Sequence, residues 1–276
     1  KPESSMNEEA GPLYKKNILS IMRQVITTEN SKPDITLCLN GIPVATAELK
    51  NPATGQSFEN AITQYKEDRD PKDKLFSFKR GALVHFAIDP HEVYMTTKLQ
   101  KEKTQFLPFN KGRDEGRGNP DNPKGYRTSY LWEDIWQKDT WIEIISDFID
   151  LQVIPQKHPI PDKENIIFPR YHQLDTVLKL TLATKQNGTG TNYLIQHSTG
   201  SGKSNTIAWL AYKLLRLFDN NNNTVFDGVI ILSDRVGIVN QLGNTVEQFE
   251  QTAGTAETMS KSKHLAKNLE TKRKIL

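Results

Sequence analysis

Residues 33–50 read PDITLCLNGIPVATAELK. Two short runs rich in β-branched and apolar residues flank Asn40-Gly41, a dipeptide favoured where both central turn residues take positive φ, so the stretch predicts a β-hairpin. Successive side chains on a strand point to opposite faces. Ile35, Leu37 and Leu39, with Ala45, Ala47 and Leu49, make one apolar face. Asp34, Thr36 and Cys38, with Thr46, Glu48 and Lys50, make the other, so two carboxylates and an ammonium share one side.

That sharing sets a condition on the register. A tight loop at Asn40-Gly41 pairs Leu39 with Ile42 and leaves Asp34 opposite Ala47, on the wrong face. Side-chain period is two, so one extra residue decides whether Asp34 meets Glu48. Pro43 lacks an N–H and suits a bulge or an edge. An irregular turn at residues 41–43 is therefore expected.

The whole chain, at 276 residues, is long enough for two domains, each with its own core. With 25% charged and 36% hydrophobic residues it has ordinary globular composition. A net charge of +3 permits nucleic-acid binding without demanding it. One cysteine excludes a disulfide framework and a cysteine-based zinc site, and suits a reducing cytoplasm. No apolar run approaches the roughly 18 residues of a membrane span, and no signal peptide is recognisable. The start at Lys1-Pro2-Glu3, without Met, leads us to expect an internal beginning.

In chain order, residues 13–26 are expected to form a helix feeding the hairpin. Ser57 reads as an N-cap, with Phe58, Ala61, Ile62 and Tyr65 following at helical spacing up to Asp70-Pro71. Residues 82–88 and 93–97 read as strands. Residues 108–128, rich in Gly, Pro and charge, read as a long exposed loop. Trp132, Ile135 and Trp136, then Trp141, Ile145, Phe148 and Ile149, outline two amphipathic helices closing a first domain over 1–152. Residues 153–168 carry three prolines and no period, and are expected to be a linker. Over 169–276 helices are expected at 171–186, 203–218 and 236–249, and strands at 193–196 and 229–232, with 274–276 starting another. Such alternation means a parallel sheet covered by helices.

His197-Ser198-Thr199-Gly200-Ser201-Gly202-Lys203-Ser204 falls between an expected strand and helix. Glycines let backbone N–H groups turn towards phosphate oxygens, and the helix N-terminus adds its positive dipole. Lys203 has the reach for β- and γ-phosphates, and the Ser204 hydroxyl suits Mg²⁺. His197 stands where the usual pattern has its first glycine. An ordinary Gly-rich turn is the plain alternative.

This loop, with Phe168-Pro169-Arg170-Tyr171-His172-Gln173 upstream, resembles the nucleotide-binding elements of superfamily 2 helicases and translocases. The resemblance implies adenine recognition by Gln173, and ATP held by Thr199, Gly200, Ser201, Gly202, Lys203 and Ser204. It also matches Ile230-Ile231-Leu232-Ser233-Asp234-Arg235 to a motif that tracks nucleic acid, with Arg235 either a phosphate contact or a solvated helix start. No DExH/DEAD acidic motif follows, so this stretch is expected to hold ATP without hydrolysing it efficiently by itself.

Asp34, thirteen intervening residues, then Glu48-Leu49-Lys50 resembles the PD-(D/E)xK nuclease signature. The resemblance implies Asp34 and Glu48 as Mg²⁺ ligands, the Leu49 carbonyl as a further hard oxygen donor, and Lys50 as the catalytic lysine. Taken alone the pattern also fits a solvated hairpin face. Gln64 lies near where related nucleases carry QxxxY, although here Tyr65 follows it directly and reads as core. Gln64, Lys66, Arg69 and Arg235 are candidate DNA contacts, as are Lys79 and Arg80 more loosely; a solvated basic face is the rival reading for the basic ones. His85 reads as a satisfied core residue.

A nuclease followed by a motor resembles the R (motor and endonuclease) subunit of type I restriction enzymes. Residues 64–71, 83–97, 106–110 and 125–133 resemble segments of that subunit too. The implied fold class is α/β: a PD-(D/E)xK domain with a mixed sheet flanked by helices, then an incomplete RecA-like parallel-sheet motor. The implied function is cleavage of double-stranded DNA after ATP-driven translocation. It implies Mg²⁺ and ATP as cofactors, methyltransferase and specificity subunits as partners, no membrane, and a prokaryotic cytoplasm. The alternatives are a type III or repair-type nuclease–helicase fusion, and a translocating module that does not cut.

Overall fold

The computed structural model describes residues 8–27, 31–114, 116–249, 254–259, 266, 268–269 and 274–276. The chain divides into two compact units, the first Leu13–His172 and the second Gln173–Leu276 together with Lys1–Pro12.

The first unit is built on a six-stranded mixed sheet in sequential order. Its strands are β1 (Leu19–Arg23), β2 (Ile35–Leu39), β3 (Ile42–Leu49), β4 (Val84–Ile88), β5 (Val93–Thr96) and β6 (Leu107–Pro108). Only β3 and β4 are parallel; every other neighbouring pair is antiparallel. A parallel pair needs a crossover, and helix α2 (Phe58–Glu67) supplies it. Ser57 caps α2 as its spacing predicts, and Asn60 closes a capping box by accepting from the Ser57 N–H at 2.9 Å.

The hairpin turn differs in detail from the expectation. Asn40 (φ 53°) and Gly41 (φ 82°) form a regular two-residue turn, with Leu39 opposite Ile42. The irregularity lies one step later: Cys38 pairs with Pro43 but Leu37 pairs with Ala45, leaving Val44 as a β-bulge. Asn40-Gly41 already satisfies the tight turn, so the extra residue is absorbed beyond Pro43, which has no N–H to give the ladder. The Val44 carbonyl instead accepts from Leu83 N–H at 3.0 Å, at the entry to β4. The bulge brings Ile35 opposite Ala47, and hence Asp34 into register with Glu48.

Both faces of this sheet are covered. Tyr65 of α2 packs over Thr46 and His85, while Trp136, Trp141 and Phe168 pack against Phe86 on the other face. A solvated face on the hairpin is thereby excluded: Thr46 and Glu48 are fully buried.

Three other expectations change in this unit. Residues 13–26 are not one helix: a short α1 (Ala10–Lys15) precedes edge strand β1, which pairs with β2 through its whole length. Residues 131–135 form a single wide π-helical turn before α3 (Lys138–Asp147). The expected linker contains structure: β7 (Asp150–Ile154) and β8 (Lys163–Ile167) pair antiparallel, confining the three prolines to their connection. Thr97 Oγ1 donates to the Ile166 carbonyl (2.9 Å) and Lys98 Nζ to that of Glu164 (3.1 Å), so this pair belongs to the first unit. The 108–128 loop is irregular as expected but pinned by buried Asn119, which holds the Lys111 N–H and the His91 carbonyl.

In the second unit α4 (Tyr171–Asn187), α5 (Lys203–Leu215) and α6 (Val236–Gln248) fall close to their expected spans. Strand β9 (Gly228–Val229) pairs parallel with β10 (Lys274–Ile275), as residues 274–276 led us to expect. Ala208, Ala211, Tyr212, Leu215, Val246 and Ile275 form the core beside this pair. Residues 193–196 are not a strand, and Leu194 is 95% exposed. A parallel strand exists only through its neighbours' ladder, and among the described residues nothing pairs there. No described helix is long and apolar enough to cross a membrane.

Candidate functional site

Glu48 and Lys50 lie at the carboxyl end of β3, and Asp34 immediately before β2, on the register that the Val44 bulge creates. Asp34 Oδ2 accepts from the Leu49 N–H at 2.8 Å, which ties the two acid-bearing segments together. Lys50 Nζ donates to Gln64 Oε1 at 2.6 Å, and Lys50 N–H to the Ile88 carbonyl at 2.8 Å. Asp34, Glu48, Lys50 and Gln64 are thus brought to one place.

Glu48 is the most constrained of them. It is 0% exposed, and its Oε1 takes the Arg69 guanidinium through Nε (2.8 Å) and Nη2 (2.7 Å). Its other oxygen, Oε2, is buried with no hydrogen-bond partner. Burial pushes the Glu48 carboxyl up to about 7, against the lowering effect of Arg69; the neighbouring Asp34 charge adds to the rise. A buried, unpartnered carboxylate oxygen beside a second carboxylate is an environment that a cation completes. Asp34, Glu48 and the Leu49 carbonyl are hard oxygen donors of the kind Mg²⁺ takes, so the residues present fit such an ion.

Arg69 is where the structure departs most from the sequence reading. Expected as a DNA contact, it is 3% exposed and engaged on Glu48, with no surface to offer a phosphate. No local signal announces a pairing between residues 48 and 69; it depends on where the chain runs after α2. The reading also missed the buried chain in which Thr46 Oγ1 meets Tyr65 OH and His85 Nδ1, each at 2.8 Å. His85 is a core residue, as expected, and burial lowers its pKa to about 3. Lys66 is half-buried, and Lys79 pairs with Glu164 at 2.6 Å.

In the second unit, residues 197–202 form a loop running into α5, with Gly200 (φ 76°) and Gly202 (φ 82°) both left-handed. Lys203 Nζ reaches back to the carbonyls of Ser198 (2.9 Å) and His197 (3.2 Å). Neutral carbonyls are weaker acceptors for an ammonium than phosphate oxygens, so an anion here would displace them. Gln173 is buried, and its amide donates to the Gly202 carbonyl at 2.8 Å. The left-handed backbone at Gly202 favours glycine, and a Cβ there would meet Gln173 Nε2 at 2.5 Å and displace that side chain's amide. Thr199 is exposed, Ser201 buried, and Ser204 lies in the first turn of α5; Arg235 is exposed at the start of α6.

Residues 12–104 match the family model of the type I restriction enzyme R protein N terminus, and residues 172–276 that of SWI2/SNF2 ATPases. Two relatives from Methanocaldococcus jannaschii are named putative type I restriction enzyme endonuclease subunits. One is 23% identical over 86% of this chain and 23% of its own length, the other 27% identical over 79% and 20%. The type I restriction enzyme HindI endonuclease subunit of Haemophilus influenzae is 24% identical over 77% of this chain and 19% of its own. The chain has the N-terminal region of a type I restriction R subunit. This R-subunit region spans about a fifth of the length of those relatives. The first match ends at residue 104 and so takes in the whole Asp34, Glu48 and Lys50 cluster, while the second begins at the unit boundary.

Proposed function

We propose that the first unit is a Mg²⁺-dependent endonuclease of the PD-(D/E)xK type. The second unit then begins a RecA-like motor that binds ATP. The observation that carries the nuclease reading is the partnerless, buried Glu48 Oε2 in register with Asp34. Asp34, Glu48 Oε2 and the Leu49 carbonyl would hold the ion. Bound Mg²⁺ would supply an acidified water and offset charge on the leaving phosphodiester oxygen. Lys50, steered by Gln64 Oε1, orients the attacking water and offsets charge developing on the scissile phosphate. In the second unit Lys203, Ser204 and the glycine turns would hold the nucleotide phosphates, with Gln173 bracing the loop through Gly202.

In the whole protein, the nuclease would cut double-stranded DNA away from the recognition site after ATP-driven translocation. It would act with methyltransferase and specificity subunits in the prokaryotic cytoplasm. The relatives' names favour this over a type III or repair-type fusion. Gln64, Lys66 and Arg235 remain candidate DNA contacts; Arg69 does not.

The test is plasmid cleavage by the assembled complex carrying the full-length R subunit, with ATP and Mg²⁺. Asp34→Ala and Lys50→Ala should each lower the cleavage rate by roughly 10²–10⁴-fold, the range for removal of a catalytic group, while leaving translocation intact. Cleavage by both variants at the wild-type rate would end the nuclease assignment.

A further inference from the structure

Arg69 touches both acid-bearing segments. Its guanidinium grips Glu48 Oε1 through Nε (2.8 Å) and Nη2 (2.7 Å), and Nη2 also donates to the Lys32 carbonyl at 3.2 Å. Lys32 is two residues before Asp34, so one planar side chain spans from the end of β3 to the entry of β2. The segment carrying Arg69 follows directly on α2, whose Gln64 meets Lys50. We propose that Arg69 is the positioning residue of this centre: it fixes the spacing of Asp34 and Glu48 and, by occupying Oε1, presents Glu48 to a divalent cation through Oε2 alone.

Three features support this assignment over a plain structural ion pair. Both guanidinium contacts fall on the same carboxylate oxygen, leaving the other without a partner although it is equally buried. A guanidinium offers a rigid fork of donors, so it fixes orientation as well as charge, which lysine's single ammonium does not. The Lys32 contact anchors backbone, so the clamp acts on the position of Asp34 as well as on Glu48. Groups that orient metal ligands from behind typically set metal affinity by 10–100-fold.

This inference rests on the metal-dependent reading above, and the experiment separates the two. Mn²⁺ binding to the nucleotide-free, full-length R subunit is followed by calorimetry, so that the nucleotide site does not contribute. Plasmid cleavage by the assembled complex is then measured against metal concentration. Wild type, Glu48→Ala, Arg69→Gln and Arg69→Lys are compared. Arg69→Gln should raise the Mn²⁺ dissociation constant roughly 10–100-fold, and raised metal should recover part of its cleavage. Arg69→Lys, which keeps the charge and loses the fork, should fall between, and carries the test alone if Arg69→Gln does not fold. Wild-type metal affinity in a folded Arg69 variant overturns the proposal. If Glu48→Ala binds Mn²⁺ as wild type does, the metal centre itself is misplaced, and the nuclease reading fails with it.

Discussion

Glu48 and His85 are buried on the same face of the sheet, and burial moves them in opposite directions, Glu48 up to about 7 and His85 down to about 3. Folded Glu48 keeps a proton that the unfolded chain releases near 4.5, so its contribution to stability is complete below about 4.5 and lost as pH rises to about 7. Folded His85 refuses a proton that the unfolded chain takes near 6.5, so its contribution is complete above 6.5 and lost as pH falls towards 3. Between 4.5 and 6.5 the two slopes oppose and nearly cancel. Urea denaturation of metal-free protein checks this. Glu48→Gln should uncover a rise in stability with pH of up to about 1.4 kcal/mol per pH unit, and His85→Asn a fall of similar size. Added Mn²⁺ favours ionised Glu48, and should therefore stabilise wild type most near pH 7 and least near pH 5. Variant slopes matching wild type would mean that neither group titrates as its burial dictates.

At the scale of elements, the Val44 bulge decides whether the site exists. Inserting one alanine between Val44 and Ala45 keeps the bulge but shifts the ladder beyond it by one residue, so that Asp34 falls opposite Ala47, on the wrong face. Mn²⁺ binding and cleavage should both vanish. Val44→Ala keeps the residue count and only trims a buried side chain, at about 2 kcal/mol. Its metal affinity should match wild type. Equal metal affinity in the insertion variant would show that this register does not set the site. The need for one extra residue was legible in the sequence, because alternation has a fixed period; its place was not, because several positions near Pro43 satisfy the same count. That Asp34, Glu48 and Lys50 share one face was legible for the same reason, whereas α2, with its cap at Ser57, and α4 to α6 were legible from helical spacing. What stayed hidden depends on partners distant in sequence. Residues 19–23 become a strand only because β2 offers an edge, residues 150–154 only because 163–167 return to meet them, and Arg69 is turned inward by partners such as Glu48 and the Lys32 carbonyl.

At the scale of the whole molecule, each unit gathers a candidate site from its own residues: Asp34, Glu48, Lys50, Gln64 and Arg69 in the first, Gln173, Gly202 and Lys203 in the second. Their local chemistry is therefore separable. Lys203 is the donor best placed to exchange loop carbonyls for phosphate oxygens, and nothing else in the described loop supplies a positive side chain. In the full-length subunit, Lys203→Ala should lower ATP hydrolysis by about 10²-fold or more and abolish translocation, because a phosphate-facing ammonium stabilises charge that no neighbouring group replaces. Retained hydrolysis would overturn the motor reading. The Mn²⁺ dissociation constant of the Asp34–Glu48 centre, measured without nucleotide, should stay at the wild-type value in the same variant. A shift in that constant would mean that the 197–204 loop and the Asp34–Glu48 cluster are coupled even before ATP binds, since a change at one site alters affinity at another only through a coupling free energy.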